Sequence, residues 1–387
     1  MSVAEQVART ADVVIVGGGV HGCAVAYHLC RLGGLRVSLF ERGYLAGGAT
    51  GRSAAGVRHQ FGTEINCRLA IWNIRLLEGL AEELEYPHDL EFTQGGYLLL
   101  AYTPGQLEQF ERNVALQRSL GIPSEILTPE EVARVAPALN LDGVLGAGFC
   151  PRDGHVNPFH LTWAYARAAQ RLGAEIHCFC PVHAVVSDGS RVRGVYTASG
   201  RVEAPVVVIC AGAEGAELAR AAGVDVPVYG ERHQILVTEP VAHLLDPMVL
   251  CFEDGSYFKQ TPHGSLLMGI GSPFEPKGYG QGSSWHFLEE MATRIVRHLP
   301  ALAGVRVVRQ WAGLYDITPD SQAIVGPAPL EGLWLDLGWS GHGLQFAPSI
   351  GLILAQLILD QSPLVDVSPF RPGRFAAGEL IPEPACV

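Results

Sequence analysis

The chain has 387 residues, 48% of them hydrophobic and 17% charged, enough apolar material for two domains with buried cores and against wholesale disorder. The net charge of −12 argues against a nucleic-acid partner, which would want a basic face. No apolar run reaches the ~18 residues needed to span a bilayer, and the first one, Val13–Val16, is too short for a signal-peptide core, so we expect a cytoplasmic protein with no membrane partner.

Only two lysines occur, Lys259 and Lys277, so most positive charge is arginine. The nine cysteines have no zinc-like spacing, and Cys178 and Cys180 are too close for a metal pair. They read as buried, reduced thiols, and no metal is expected.

In chain order, Ala11–Val16 is a β-branched run suited to a parallel strand covered on both faces. A helix from Val20 to about Leu32 follows, stopped by Gly33–Gly34, and Arg36–Phe40 reads as a second strand. Residues 43–62 are rich in Gly, Ala and Thr, and a helix spans Glu64 to Leu84. Residues 91–101 read as strands of a second layer, and Thr128 caps a helix that begins Pro-Glu-Glu. Asn157 and Pro158 open another helix that ends before Gly173. A strand near Glu175–Cys178, a hairpin around Asp188-Gly189-Ser190 and a buried strand Val206–Ile209 come next. Residues 226–312 read as strand-rich, Leu333–Leu337 as a strand, and Pro348–Leu359 as an apolar helix, with its start near Leu344.

The first strand leads into Gly17-Gly18-Gly19-Val20-His21-Gly22, which fits G-x-G-x-x-G. Gly17 allows the tight turn, Gly19 lets the backbone approach a pyrophosphate, and Gly22 permits helix-on-strand packing. The helix N-terminus offers unpaired N–H groups and the positive end of its dipole. Glu41, at the end of the second strand, is placed to accept hydrogen bonds from ribose hydroxyls. This pattern identifies a dinucleotide site but does not choose between NAD and FAD.

Further motifs make that choice. Gly47-Gly48-Ala49-Thr50-Gly51-Arg52-Ser53-Ala54-Ala55-Gly56 follows Glu41, and Gly338-Trp339-Ser340-Gly341-His342-Gly343-Leu344-Gln345-Phe346-Ala347-Pro348 lies near the C-terminus. With Trp311-Ala312-Gly313 and Pro319-Asp320 these make the whole chain resemble the D-amino acid oxidase superfamily. Glycine oxidase, sarcosine oxidase and the flavin subunits of heteromeric sarcosine oxidase and L-proline dehydrogenase are the branches it resembles. The resemblance implies an α/β fold. A Rossmann-type FAD-binding domain (1–86, 150–222 and 318–387) would be interleaved with an α+β substrate domain on a mixed or antiparallel sheet (87–149 and 223–317). It extends the FAD-contacting set from Gly17, Gly19, Val20, His21, Gly22 and Glu41 to Arg42, Ala49, Thr50, Ser53, Ala54, Ala55, Gly56, Val182, Ala211, Gly212, Gly313, Gly341, His342, Gly343, Leu344 and Gln345. Backbone N–H groups of Gly341–Gly343 would face the negative charge of a reduced flavin.

The chain departs from the resemblance at two points. Some sarcosine oxidases attach flavin through a Cys in the segment that here reads Trp311-Ala312-Gly313-Leu314, so non-covalent FAD is expected. Leu267 stands where that branch uses a Lys to promote reaction with oxygen.

A small amino acid brings a carboxylate into an apolar pocket, and a bidentate Arg is the partner of choice. Arg58 matches a carboxylate-binding Arg of the sarcosine oxidase branch, with Arg52 a second candidate or a flavin contact. Gln345 replaces a Lys of that branch, Tyr257 matches a pocket tyrosine, and Tyr315 stands where glycine oxidase has its carboxylate-binding Arg. His59 and His342 flank these motifs as wall or structural residues.

The leading reading is an enzyme that oxidises the C–N bond of glycine, sarcosine or another N-substituted amino acid, with molecular oxygen or a partner as electron acceptor. A second reading makes the chain one flavin subunit of a heteromeric dehydrogenase that passes electrons to a partner rather than to oxygen, and a homo-oligomer and a heteromeric subunit are both open. A flavin-binding structural subunit without turnover is a third reading, and an NAD dehydrogenase leaves the C-terminal motif unexplained.

Overall fold

The computed structural model describes residues 9–271 and 275–384. The outermost parts of the expected FAD unit (1–8 and 385–387) and residues 272–274 of the substrate unit lie outside that range.

Two sheets organise the chain. The first has six strands, in the order Ile324–Pro327, Leu333–Leu337, Val206–Ile209, Val13–Val16, Val37–Phe40 and Glu175–His177. Every pairing is parallel except that of Ile324–Pro327 with Leu333–Leu337. The strands Val13–Val16 and Val37–Phe40 are buried at every position, the expectation for apolar runs covered on both faces. The helix Val20–Gly33 crosses from the first strand to its neighbour and ends on Gly34, which takes the left-handed conformation at φ 60°. It packs so closely on the C-terminal helix Gly343–Ile358 that a Cβ on Gly351 would lie 2.5 Å from that of Ala24.

The second sheet has eight strands, in the order Val307–Ile317, Tyr229–Pro240, Ser265–Ile270, Ser256–Gln260, Met248–Cys251, Tyr97–Ala101, Gly146–Cys150 and Glu125–Leu127. It is antiparallel except where Met248–Cys251 runs parallel to Tyr97–Ala101. The chain thus has an α/β fold with one mainly parallel and one mixed sheet. The hairpin around Asp188–Ser190 joins Val182–Ser187 to Val192–Thr197, in a separate three-stranded sheet.

Caps read from sequence form as hydrogen bonds. Thr128 and Glu131 make a reciprocal capping box, and the Asn157 carboxamide accepts from the N–H groups of Phe159 and His160. Two elements differ from expectation. Residues 226–312 contain the helix Trp285–His298, capped by Ser284. A helix Pro104–Ser119 follows the strand at 97–101. The C-terminal helix begins at Gly343, one residue from the expected start near Leu344, with Pro348 inside it. Among the described residues no helix is long and apolar enough to cross a membrane.

Candidate active site

The C-terminal ends of Val13–Val16 and Val206–Ile209, the loop after Val37–Phe40 and the strand Val307–Ile317 surround a cavity of about 730 Å³. Its walls include Gly17, Gly19, His21, Glu41, Arg42, Ala49, Thr50, Ser53, Ala54, Val182, Ala211, Gly212, Gly313, Gly341, Gly343 and Leu344. Val20 and Gly22 stand behind this wall. Val20 N–H donates to the Thr50 hydroxyl at 3.2 Å, and a Cβ on Gly22 would lie 2.0 Å from the Gly17 carbonyl oxygen. Gly17 itself sits at φ 114°, where only glycine is at ease.

Glu41 carboxylate oxygens accept from the N–H groups of Gly18 and Gly43, both at 2.7 Å. The carboxylate therefore orders the loop as well as facing the cavity, and each oxygen retains a lone pair for a ligand hydroxyl. His21 lies between the Asp336 carboxylate, 2.9 Å from Nδ1, and the Gly343 carbonyl, 2.7 Å from Nε2. Both partners are acceptors, so both ring nitrogens must carry protons. Burial opposes the charged form, but Asp336 and the Gly343 carbonyl outweigh it and hold the imidazole above its ordinary pKa. Trp339 Nε1 donates to the second Asp336 oxygen at 2.8 Å. This bolt ties the glycine-rich helix to the start of the C-terminal helix.

On the far wall Arg52 donates to the Ala312 carbonyl at 2.9 Å, and Trp311 Nε1 donates to the Arg52 carbonyl at 3.0 Å. Arg52 is thereby committed to joining the short helix Ala49–Arg52 to the edge strand. Asp316 accepts from Gly338 N–H at 2.7 Å, and burial pushes its carboxyl up to about 6. Gly341, at φ 90°, passes so close to Tyr315 that a Cβ would lie 2.4 Å from the ring.

A second, smaller cavity of about 110 Å³ shares Ser53, Ala54, Tyr315, Gly341 and Leu344 with the first. It brings together all four residues expected at the chemistry: Arg58, Tyr257, Tyr315 and Gln345. Ala55, Gly56 and His342 line it too, rather than the larger cavity. The rest of its wall is mainly apolar, including Met248 and Leu250, with Tyr97 beside them. Arg58 N–H donates to Gln345 Oε1 at 2.9 Å, and its guanidinium donates to the Gln60 carbonyl and lies 4.4 Å above the Phe61 ring. Burial, then the neighbouring Arg58 charge, pushes His342 down to about 4, so it is neutral near pH 7. Among the described residues lining this cavity, Arg58 carries the only fixed charge and no carboxylate appears.

His59 lines neither cavity, and its Nδ1 lies 2.7 Å from Asp153. Cys150 stands 3.8 Å from the same nitrogen. Asp153 also accepts from the N–H of His59 and the amide of Gln60, so internal donors already satisfy that cluster. The eight cysteines among the described residues are all free, and Cys178 alone of them is exposed.

Sequence reasoning missed Asp336, Asp316, Tyr97 and Met248. Asp336 had a signal, a lone acid inside the apolar strand Leu333–Leu337. Tyr97 and Met248 had none, because they reach the cavity through sheet pairing.

The larger cavity suits an elongated dinucleotide: glycines that line it, a helix N-terminus and, in Glu41, an acid at the end of the second strand with lone pairs to offer. A family model described as FAD dependent oxidoreductase, DAO, matches residues 12–357. The chain belongs to the DAO family of FAD-dependent oxidoreductases. This flavoenzyme is 34% identical over 381 residues to sarcosine oxidase subunit beta of an Arthrobacter species, covering 97% of this chain and 93% of the relative. Its fold is similar to L-proline dehydrogenase from P. horikoshii, with a TM-score of 0.91, 31% identity and coverage of 97% and 100%. It is also similar to glycine oxidase from Geobacillus kaustophilus, with a TM-score of 0.87, 28% identity and coverage of 95% and 99%.

Proposed function

We propose that this flavoenzyme dehydrogenates the C–N bond of a small amino acid: glycine, sarcosine or another N-substituted amino acid. The observation that carries the proposal is the small cavity opening onto the flavin cavity, with Arg58 as its one fixed charge. Its volume of about 110 Å³ suits a ligand of a few heavy atoms. Arg58 would hold the carboxylate, and Tyr97, Tyr257, Tyr315 and Met248 would enclose the carbon skeleton.

With no carboxylate on the lining, an ammonium group has no partner and the amine is favoured in its neutral form. His342, held neutral, brings no charge to the pocket. Bound FAD would supply the hydride acceptor at N5. The carbon next to nitrogen gives up hydride, nitrogen gives up its proton, and the imine hydrolyses in water. FAD would be held without a covalent bond, contacted by the glycine-rich, Glu41 and C-terminal segments.

A second reading has a specific basis. Leu267 replaces the oxygen-promoting Lys of the sarcosine oxidase branch, and the Arthrobacter relative is by name one subunit of an enzyme. We therefore propose that electrons leave to a partner subunit rather than to oxygen. We further propose the two-unit division stated above, with each sheet at the heart of one unit, and a cytoplasmic location.

Anaerobic bleaching of the flavin by glycine, sarcosine and L-proline tests the first reading. The panel is extended to other N-substituted amino acids, and if no member bleaches the flavin the amino-acid reading fails. Admission of air then separates the two acceptors, since a dehydrogenase re-oxidises slowly.

A further inference from the structure

We infer that Glu383, in the C-terminal tail, is a positioning residue for the Arg58 carboxylate clamp. The inference rests on the reading of Arg58 given above.

The tail is fastened to the body in two places. The fully buried Arg374 makes a forked pair with Asp320, at 2.9 Å on both arms, and Ile381 N–H donates to the same carboxylate at 3.3 Å. Glu383 then enters the protein and is only 6% exposed. One of its oxygens accepts from Gly62 N–H at 2.7 Å, and the other accepts from the Thr63 hydroxyl at 2.6 Å and the Asn66 amide at 2.8 Å. Pro384 lies over Gly62, where a Cβ would fall 2.3 Å from its ring.

These donors are the entrance of the helix Glu64–Glu83. Thr63 occupies its cap position yet makes no cap bond within the helix, because its hydroxyl is turned to Glu383. A carboxylate from residue 383 thus sits at the positive end of this helix, held by the Gly62 N–H and by the side chains of Thr63 and Asn66 rather than by the helix's own first-turn N–H groups. The segment it pins is the one that carries the clamp. Phe61, next to Gly62, is the ring under the Arg58 guanidinium and an edge-on neighbour of His342. Gln60 supplies the carbonyl to which Arg58 donates. The Glu383 charge also favours protonation of His342, opposing Arg58.

Releasing Gly62 therefore loosens the platform of Arg58 without touching the flavin cavity, whose lining includes none of residues 58–66. The chemistry itself needs no group of Glu383, so the effect falls on binding.

The test uses the FAD-loaded full chain and whichever of glycine, sarcosine and L-proline bleaches the flavin. Stopped-flow reduction is compared for wild type, Glu383→Gln, Glu383→Asp and Arg58→Ala. We expect Glu383→Gln to raise the apparent substrate Kd by about tenfold, as for a lost buried charge-assisted contact, and to change the limiting rate by less than about threefold. Glu383→Asp should recover part of that affinity. The pH at which His342 titrates in the binding profile should fall in Glu383→Gln, because a nearby negative charge is lost. FAD content should match wild type in both. An unchanged Kd and pH profile in Glu383→Gln, with Arg58→Ala impaired, overturns the role of Glu383 alone. An unimpaired Arg58→Ala overturns the clamp instead. If Glu383→Gln does not fold, Glu383→Asp decides, since its shorter side chain cannot keep all three contacts: an apparent Kd equal to wild type there overturns the proposal.

Discussion

The backbone N–H of Arg58 and the side-chain oxygen of Gln345 meet at 2.9 Å, joining two positions 287 residues apart on the wall of one small cavity. Gln345 lies in the first turn of the C-terminal helix, so Arg58, the proposed substrate clamp, is attached to the element that also carries Gly343 and the His21 bolt. Replacing Arg58 by Ala would leave a substrate carboxylate buried without its partner, at a cost of about 3–5 kcal/mol by analogy with broken buried ion pairs. Flavin reduction by substrate should show weaker binding and a slower rate, with normal FAD content. Arg58→Lys should rescue only in part, since a point charge does not reproduce the fork. Wild-type kinetics in Arg58→Ala would place the carboxylate elsewhere.

Glu41 should matter twice. It faces the cavity and also receives the N–H groups of Gly18 and Gly43. Glu41→Ala should therefore weaken FAD binding by more than the roughly 1.5–3 kcal/mol of one charge-assisted hydrogen bond, because the loop loosens as well. Glu41→Gln should lose less, as one acceptor oxygen remains. Titration of apoprotein with FAD measures both, and equal affinities for wild type and Glu41→Ala contradict the assignment.

The His21 bolt predicts a pH dependence with a definite sign. Its folded-state pKa lies above the ordinary value, so folding favours the protonated form. The stabilisation is complete below the unfolded pKa of about 6.5 and is lost as pH rises through the higher folded value. Asp336 and Asp316 raise the pKa, and Cys210, hydrogen-bonded to Asp336, shares the site. Thermal unfolding and FAD release should both worsen over that alkaline range, and His21→Asn should lack this dependence. Parallel pH profiles for wild type and variant contradict the charged bolt.

Acid or heat should release FAD into the supernatant. The segment Trp311–Leu314 offers no nucleophilic side chain, and the Gly313 Cα faces Arg52. Flavin that stays with the precipitated chain after trichloroacetic acid treatment would show a covalent link elsewhere.

Much of the flavin half was legible because its signals are local. Val13–Val16, the glycine turn and the helix to Gly33 form one contiguous unit, and each part announces the next. The second sheet was harder to read. The helix Trp285–His298 follows several strands, and its amphipathic face covers that sheet through Phe287, Met291 and Ile295. Its Ser284 cap was the missed local signal. The start of the last helix near Leu344 was legible from Gly341-His342-Gly343, and Pro348 lies inside it, at the cost of one hydrogen bond that tertiary packing here tolerates. Met248 and Tyr97 reach the small cavity only because two strands far apart in sequence pair in parallel. The same holds for Glu383, whose partners lie at the other end of the chain.

The nesting of one sheet inside the other also sets a timetable. Val13–Val16 leaves the ribosome with one neighbour, Val37–Phe40, close behind it. Its other neighbour, Val206–Ile209, emerges on the order of ten to forty seconds later at about 5–20 residues per second. Leu333–Leu337 comes only after every strand of the eight-stranded sheet has been made. During translation the glycine turn therefore waits beside an unpaired strand edge, a surface open to wrong partners. A nascent chain whose emerged part ends before residue 333 should already hold a complete eight-stranded sheet, yet lack the strand that carries Asp336 and the helix that carries Gly343. The flavin cavity gains these two walls only after that sheet has been made.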